Sequence, residues 1–168
     1  MLDIDLLTLT IAVLAMIAFI IPFYLQYRKL NNQKMGIQKQ LQEFKSLNQL
    51  NIDQEETWRS KYYLGLDRSN KKLIYANWTA EIKIDLIDLT QIGKVSIQES
   101  ARFVGLGSSK RRVCDLILLK LKLNQQDKEH TLELYDAEKF SDLQGEGPLA
   151  KKWEGIIQQE IKRKLVIV

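Results

Sequence analysis

Lys61-Tyr62-Tyr63-Leu64-Gly65-Leu66-Asp67-Arg68-Ser69-Asn70-Lys71-Lys72-Leu73-Ile74-Tyr75-Ala76-Asn77 is the stretch whose reading decides the fold. Two apolar, aromatic-bearing runs flank the polar turn Arg68–Lys71, the pattern of two strands closed into a hairpin. Period two continues downstream. Glu81 to Leu86 alternates with Ile82, Ile84 and Leu86 on one face, Ile92 to Ile97 gives another short strand, and Phe103-Val104 a fifth. Gly105-Leu106-Gly107-Ser108-Ser109 is a loop by composition. Val113 to Leu123 predicts the longest strand, with Ile117, Leu119, Leu121 and Leu123 on one face and Lys120 and Lys122 on the other. A turn over Asn124 to Lys128 leads into a seventh strand, His130 to Tyr135.

After the strands the period changes. Gly147-Pro148 opens a helix, with proline in a favoured first-turn position. Leu149, Trp153, Ile156, Ile157 and Ile161 share one face, which predicts that the Trp153 side packs against the strands. Lys162-Arg163-Lys164 suit the negative end of the helix dipole. The apolar end Leu165-Val166-Ile167-Val168 has no assigned role.

The other end of the chain is of a different kind. Leu6 to Leu25 contains no charged residue, and twelve of its members are Leu, Ile, Val or Phe. Such a helix is about 30 Å long, the thickness of the hydrocarbon layer of a bilayer. The core helix of a soluble protein is usually shorter and keeps a polar stripe. A cleaved signal peptide would need a basic leader and small residues at the cleavage site. Here Asp3 and Asp5 precede the segment and Pro22-Phe23-Tyr24-Leu25 ends it, so an uncleaved anchor is expected. Arg28, Lys29, Lys34, Lys39 and Lys45 follow the segment and no base precedes it. The positive-inside rule then predicts an inner (plasma) membrane protein with its N-terminus outside and its C-terminal domain cytoplasmic. The single cysteine, which allows no internal disulfide, agrees with a reducing compartment.

The expected domains are a transmembrane anchor over 1–27, a juxtamembrane helical linker over 28–50 and a β domain with its helix over 51–168. Ile37, Leu41, Phe44 and Leu47 give the linker a helical stripe. Seven strands followed by an amphipathic helix bearing Trp153 resemble the pleckstrin-homology (PH-like) architecture across residues 58–161. That resemblance implies an α+β fold, a seven-stranded bent β-sandwich or barrel capped by the C-terminal helix. Tyr63-Leu64-Gly65-Leu66-Asp67 with Lys72-Leu73, and Leu132-Glu133-Leu134-Tyr135 with Ala150-Lys151-Lys152-Trp153, are similar to segments of uncharacterised single-pass membrane proteins of Bacteroidota. That family carries no established activity.

No motif points to catalysis, and no catalytic, cofactor or metal residue is expected. One histidine, His130, makes no typical zinc site, and no Cys-x-x-Cys is present. Cys114 falls within a strand, where burial is expected. The glycine loop lacks the third glycine of a dinucleotide fingerprint and the Gly-Lys-Ser/Thr of a P-loop. Asn77-Trp78-Thr79 matches a glycosylation sequon by chance. Net charge of +4 is too mild to require nucleic acid. Two basic clusters remain, Arg68, Lys71 and Lys72 at the hairpin, and Lys110, Arg111 and Arg112 after the glycine loop. In lipid-binding PH domains a basic loop between the first two strands grips headgroup phosphates, and the resemblance sets Arg68, Lys71 and Lys72 in the matching region. The expected function is a membrane-anchored, non-catalytic interaction or scaffold module that binds a protein or peptide. The alternatives are a sensor of anionic lipid using the basic loops and, third, an enzyme with an unrecognised site.

Overall fold

A computed structural model describes residues 6–105, 110–124 and 128–165. Most of the glycine loop, the centre of the Asn124–Lys128 turn and Val166–Val168 therefore lie outside the described residues, as do Asp3 and Asp5. The architecture is mixed α+β, with one N-terminal apolar helix, two antiparallel sheets of four and three strands, and a C-terminal helix. The chain divides into two compact units, Met1–Asn48 and Gln49–Val168.

The first unit is the helix α1, Leu6–Leu47. It runs through Pro22, whose missing N–H leaves the carbonyl of Ala18 without its helical donor, and through Gly36. The window Leu9–Arg28 is long and apolar enough to cross a membrane, and none of it is buried by protein. Phe19 and Phe23, one turn apart, hold their rings 5.3 Å apart at centroid.

The second unit starts with a strand that the sequence hides. Gln54–Trp58 is β1, antiparallel to β2, Tyr62–Asp67. Its acidic wording is that of an edge strand, where charge discourages further pairing. Strands β3, Lys72–Asn77, and β4, Lys83–Asp88, complete a meander. The inner face of β4 is not the expected one. Leu73 pairs with Ile87 and Tyr75 with Asp85, so Ile87 is buried while Ile84 and Leu86 turn the other way and Ile82, before the strand, is exposed. Pairing with β3 fixed the register, against the local alternation that sets Ile82, Ile84 and Leu86 on one face and Lys83 and Asp85 beside Ile87 on the other.

A 3-10 turn, Leu89–Gln91, capped by the Asp88 carboxylate, leads into β5, Ile92–Val104. The two short strands expected over this interval are one. It pairs with β6, Arg111–Leu123, and β6 with β7, Glu129–Asp136. Gly93 forms a bulge at the corner; a Cβ there would meet the Asn124 side-chain oxygen, so only glycine fits without displacement. The expected face of β6 is correct: Ile117, Leu119 and Leu121 are buried and Leu123 packs beside them.

Helix α2, Glu146–Leu165, starts one residue before Gly147. Leu149, Ala150, Trp153 and Ile157 enter one continuous core with Leu64, Leu66, Leu73 and Ile87 of the first sheet and Ile117, Leu119, Leu121, Leu132 and Leu134 of the second. Trp153 has no exposed surface, and its indole N–H donates to Glu56 of β1 at 3.1 Å. Trp58 stacks on Tyr62 and donates to the Leu134 carbonyl at 2.9 Å, joining the sheets at the other end. Trp153→Ala should cost about 3–5 kcal/mol of stability, the penalty for emptying a filled aromatic site. Exposed Lys151→Ala on the opposite face should change it by less than about 0.5 kcal/mol. Urea unfolding of the full-length chain in non-ionic detergent, followed by near-UV circular dichroism, checks the contrast.

Candidate functional site

The hairpin turn Arg68–Lys71 is built on Asp67, which is fully buried. Its carboxylate accepts from the backbone N–H and the side-chain amide of Asn70 and from the backbone N–H of Asn51, at 2.7–2.8 Å. Burial alone would raise the Asp67 carboxyl, but these donors outweigh it and hold it below the ordinary 3.8. The turn also closes through the Asp53 carboxylate, which accepts from the Arg68 N–H, and through Lys71 at φ +53.

The bases of this turn are tied into the fold. Glu160 of α2 is buried, and it accepts from Lys71 at 2.7 Å while Arg68 lies 3.5 Å away and Arg163 3.0 Å away. Lys72 pairs with Asp88 across β3 and β4 at 2.7 Å. Desolvation opposes ionisation of Asp88, and hydrogen bonds from Lys72 and Thr90 overcome it, so this carboxyl is also held low. With β1 in place, the turn joins the second and third strands, which corrects the correspondence with a first-hairpin headgroup loop. Arg68, Lys71 and Lys72 thus serve the seating of α2 and the β3–β4 pairing.

The first hairpin turn, Arg59-Ser60, lies between β1 and β2 and holds both residues in the left-handed region, φ 50 and 51. A bulky side chain there is disfavoured. Arg59 is retained by what it touches. Its guanidinium binds the Glu146 carboxylate and the Asp142 carbonyl, and sits 4.5 Å from the Phe140 ring centroid and 5.4 Å from that of Tyr135. The side chains of Arg59 and Glu146 are only 6% and 2% exposed. Glu146 also accepts from the Gln144 N–H, and its charge lies at the positive end of α2. A lone Arg-Ser dipeptide in a hidden turn gives no sequence signal for this latch.

Beside it lies an open cleft of about 350 Å³ lined by Lys61, Thr79, Ala80, Lys139 and Phe140. Desolvation works against the Lys139 charge, but Glu133 and Asp136 hold the ammonium and raise its pKa above the ordinary value. Thr79 donates its hydroxyl and N–H to the Asn77 side chain, which explains the Asn77-Trp78-Thr79 pattern as a local turn. The cleft therefore combines two lysines, the Phe140 ring and the small side chains of Thr79 and Ala80.

Several other titratable groups are shifted by burial. Burial first, then Glu133 and Glu55, push the Tyr62 and Tyr63 phenols far above their ordinary range. Burial raises the Cys114 thiol as well. His130 is exposed. Among the described residues no group of three or more His, Cys, Asp or Glu is placed to hold a metal ion. The second basic cluster stands elsewhere: Arg111 and Arg112 open β6, Lys110 precedes them, and the Lys110 ammonium lies 5.0 Å from the Phe103 ring centroid. Phe103 is 64% exposed, which its place in an apolar pair at a strand end does not signal. Comparison with protein-family models, with curated proteins and with solved structures returns no match.

Two outcomes are expected. Arg59→Ala leaves Glu146 buried without its cation and should cost about 3–5 kcal/mol, whereas Lys152→Ala, which breaks a half-exposed pair with Glu56, should cost about 0–1 kcal/mol. Urea midpoints in detergent separate them. As pH falls, the unfolded chain takes up protons before Asp67 and Asp88 of the folded chain do. Their contribution is thus complete above about pH 5 and is lost progressively as pH falls past 3.8 and on through their lower folded-state values. The urea midpoint should fall over that window, and Asp67→Asn should lower it at pH 7 while flattening its acid limb.

Proposed function

We propose that the chain is a single-pass membrane protein whose β-rich unit is a non-catalytic binding module of PH-like architecture. It is held on the cytoplasmic face of the inner membrane to engage a protein or peptide. The observation that supports this reading is the window Leu9–Arg28, strongly apolar on average and buried by nothing in the chain. Each large apolar side chain left in water costs about 1.5–3 kcal/mol, a cost that lipid around this helix would remove. Leu9, Ile11, Leu14, Ile17, Phe19, Ile20, Ile21, Phe23 and Leu25 are all about half or more exposed, as lipid-facing side chains would be. Arg28, which ends the window, and the bases after it, Lys39 and Lys45 among them, support a cytoplasmic C-terminus. Four strands, a corner, three strands and a terminal helix seating a tryptophan support the PH-like reading.

Binding rather than catalysis fits the cleft, where Lys61 and Phe140 offer charge and an apolar wall beside ion-paired Lys139. A photocrosslinking residue at Lys61 in living cells should capture a discrete partner, and one at exposed Lys151 should not. Membranes washed at alkaline pH should retain the full-length protein, with a reporter at Val168 reached only from the cytosol. Release by the wash would refute the anchor; equal crosslinking at the two positions would refute the binding cleft.

A further inference from the structure

We infer that the distal end of the β5–β6 ribbon enters the headgroup layer of an anionic leaflet, with Phe103 and Val104 as its apolar tip. This rests on the anchored reading above. Strand β7 accompanies β6 only as far as the pair Leu116↔Asp136. Beyond it, β5 and β6 continue alone through Ala101↔Cys114, Arg102↔Val113, Phe103↔Arg112 and Val104↔Arg111. A register shift between Ser100 and Ala101 marks where the ribbon departs from the sheet. At its end Phe103 is 64% and Val104 43% exposed, and no other large apolar side chain described in this unit is as exposed as Phe103.

The charges match that tip. Successive residues of a strand point to opposite faces, so Phe103 and Val104 lie on different sides of the ribbon. Each faces an arginine across the pair, Arg112 and Arg111 respectively. Lys110 approaches Phe103, and Arg102 shares the side of Val104. The two acids of this region stand further from the tip: Glu99 pairs with Arg112 at 2.8 Å and Asp115 with Arg102 at 3.3 Å, and both arginines stay more than half exposed. A groove on a protein would meet one face of a ribbon. Here both faces carry the same combination of cation and apolar group, which suits entry end-on into a layer of phosphates over acyl chains. The bases of the β2–β3 turn differ, being committed to Glu160 and Asp88. Residues 29–53 tether the unit to the apolar window, so its effective concentration at the leaflet is high and weak attraction suffices. Each cation should shift the partition about fivefold.

The test uses the full-length chain carrying Cys114→Ala and Val104→Cys, labelled with an environment-sensitive fluorophore. It is reconstituted into vesicles with or without phosphatidylserine in phosphatidylcholine. Flotation reads the anchor independently. In phosphatidylserine vesicles, nitroxide lipids should quench the probe. Quenching should fall several-fold in phosphatidylcholine alone or with Arg111→Gln and Arg112→Gln together, and stay unchanged with Arg68→Gln. Without any label, amide exchange at Phe103 and Val104 of the native chain should slow only on the anionic vesicles. Protein that floats with its probe accessible only to aqueous iodide, or with equal quenching on both vesicles, overturns the inference and leaves the anchor standing. Protein that fails to float overturns both.

Discussion

The β-rich unit depends on the seating of one helix. Two antiparallel sheets of four and three strands do not by themselves close around a core, and α2 fills the opening with Leu149, Ala150, Trp153 and Ile157. Trp153 contributes the largest fully buried side chain of the unit, and its one polar atom is satisfied by Glu56. An indole at this place supplies apolar volume at one end and a hydrogen-bond donor at the other. Because the acceptor belongs to the edge strand β1, the same residue that plugs the core also holds down the first strand.

The acidic residues are arranged around that helix. Glu146 at its start takes Arg59 from the first hairpin, Glu160 near its end takes Lys71 from the second, and Lys152 between them reaches Glu56. The helix is therefore stapled to successive turns of one sheet while its apolar face packs on the other. Buried charges such as Glu146 and Glu160 add specificity of placement more than net stability, since their desolvation offsets much of the attraction. One consequence is electrostatic: Lys71 and Lys72, which look like part of a surface cluster in the sequence, are paired with acids where they stand.

Much of the architecture was legible because periodicity is a local property. The Tyr62–Asn77 hairpin, the face of β6 and the Trp153 face of α2 follow from spacing alone. What was not legible depended on partners distant in sequence. Strand β1 is acidic because it is an edge, so Gln54–Trp58 lacks the apolar wording of a strand. The inner face of β4 was set by its register with β3, and the long β5 looked like two strands because Gln98, Glu99 and Ser100 break its apolar pattern. For the site, the sequence located the basic residues but not their acids: Lys71 and Glu160 are joined only by the fold. The Arg59 latch and the cleft beside it had no signal at all, since neither a turn residue nor a cluster of Lys61, Thr79 and Phe140 is adjacent in the chain.

Two apolar surfaces stay uncovered by protein, the Leu9–Arg28 window and the Phe103–Val104 tip, and they differ in scale. A helix of that length, inserted as proposed, would gain a large and effectively permanent stabilisation and so fix where the protein resides. Two side chains and a few cations gain far less, on the order of a few kcal/mol, and that part changes with lipid charge. With the anchor inserted as proposed, the tip would need no affinity of its own to matter: its small free energy would act only on how often the β unit lies against the leaflet. A weaker tip would leave that contact insensitive to lipid charge, and a stronger one would hold the unit down regardless of lipid. The half-satisfied arginines at the ribbon end, each with one acid nearby and most of its surface in water, lie between those extremes.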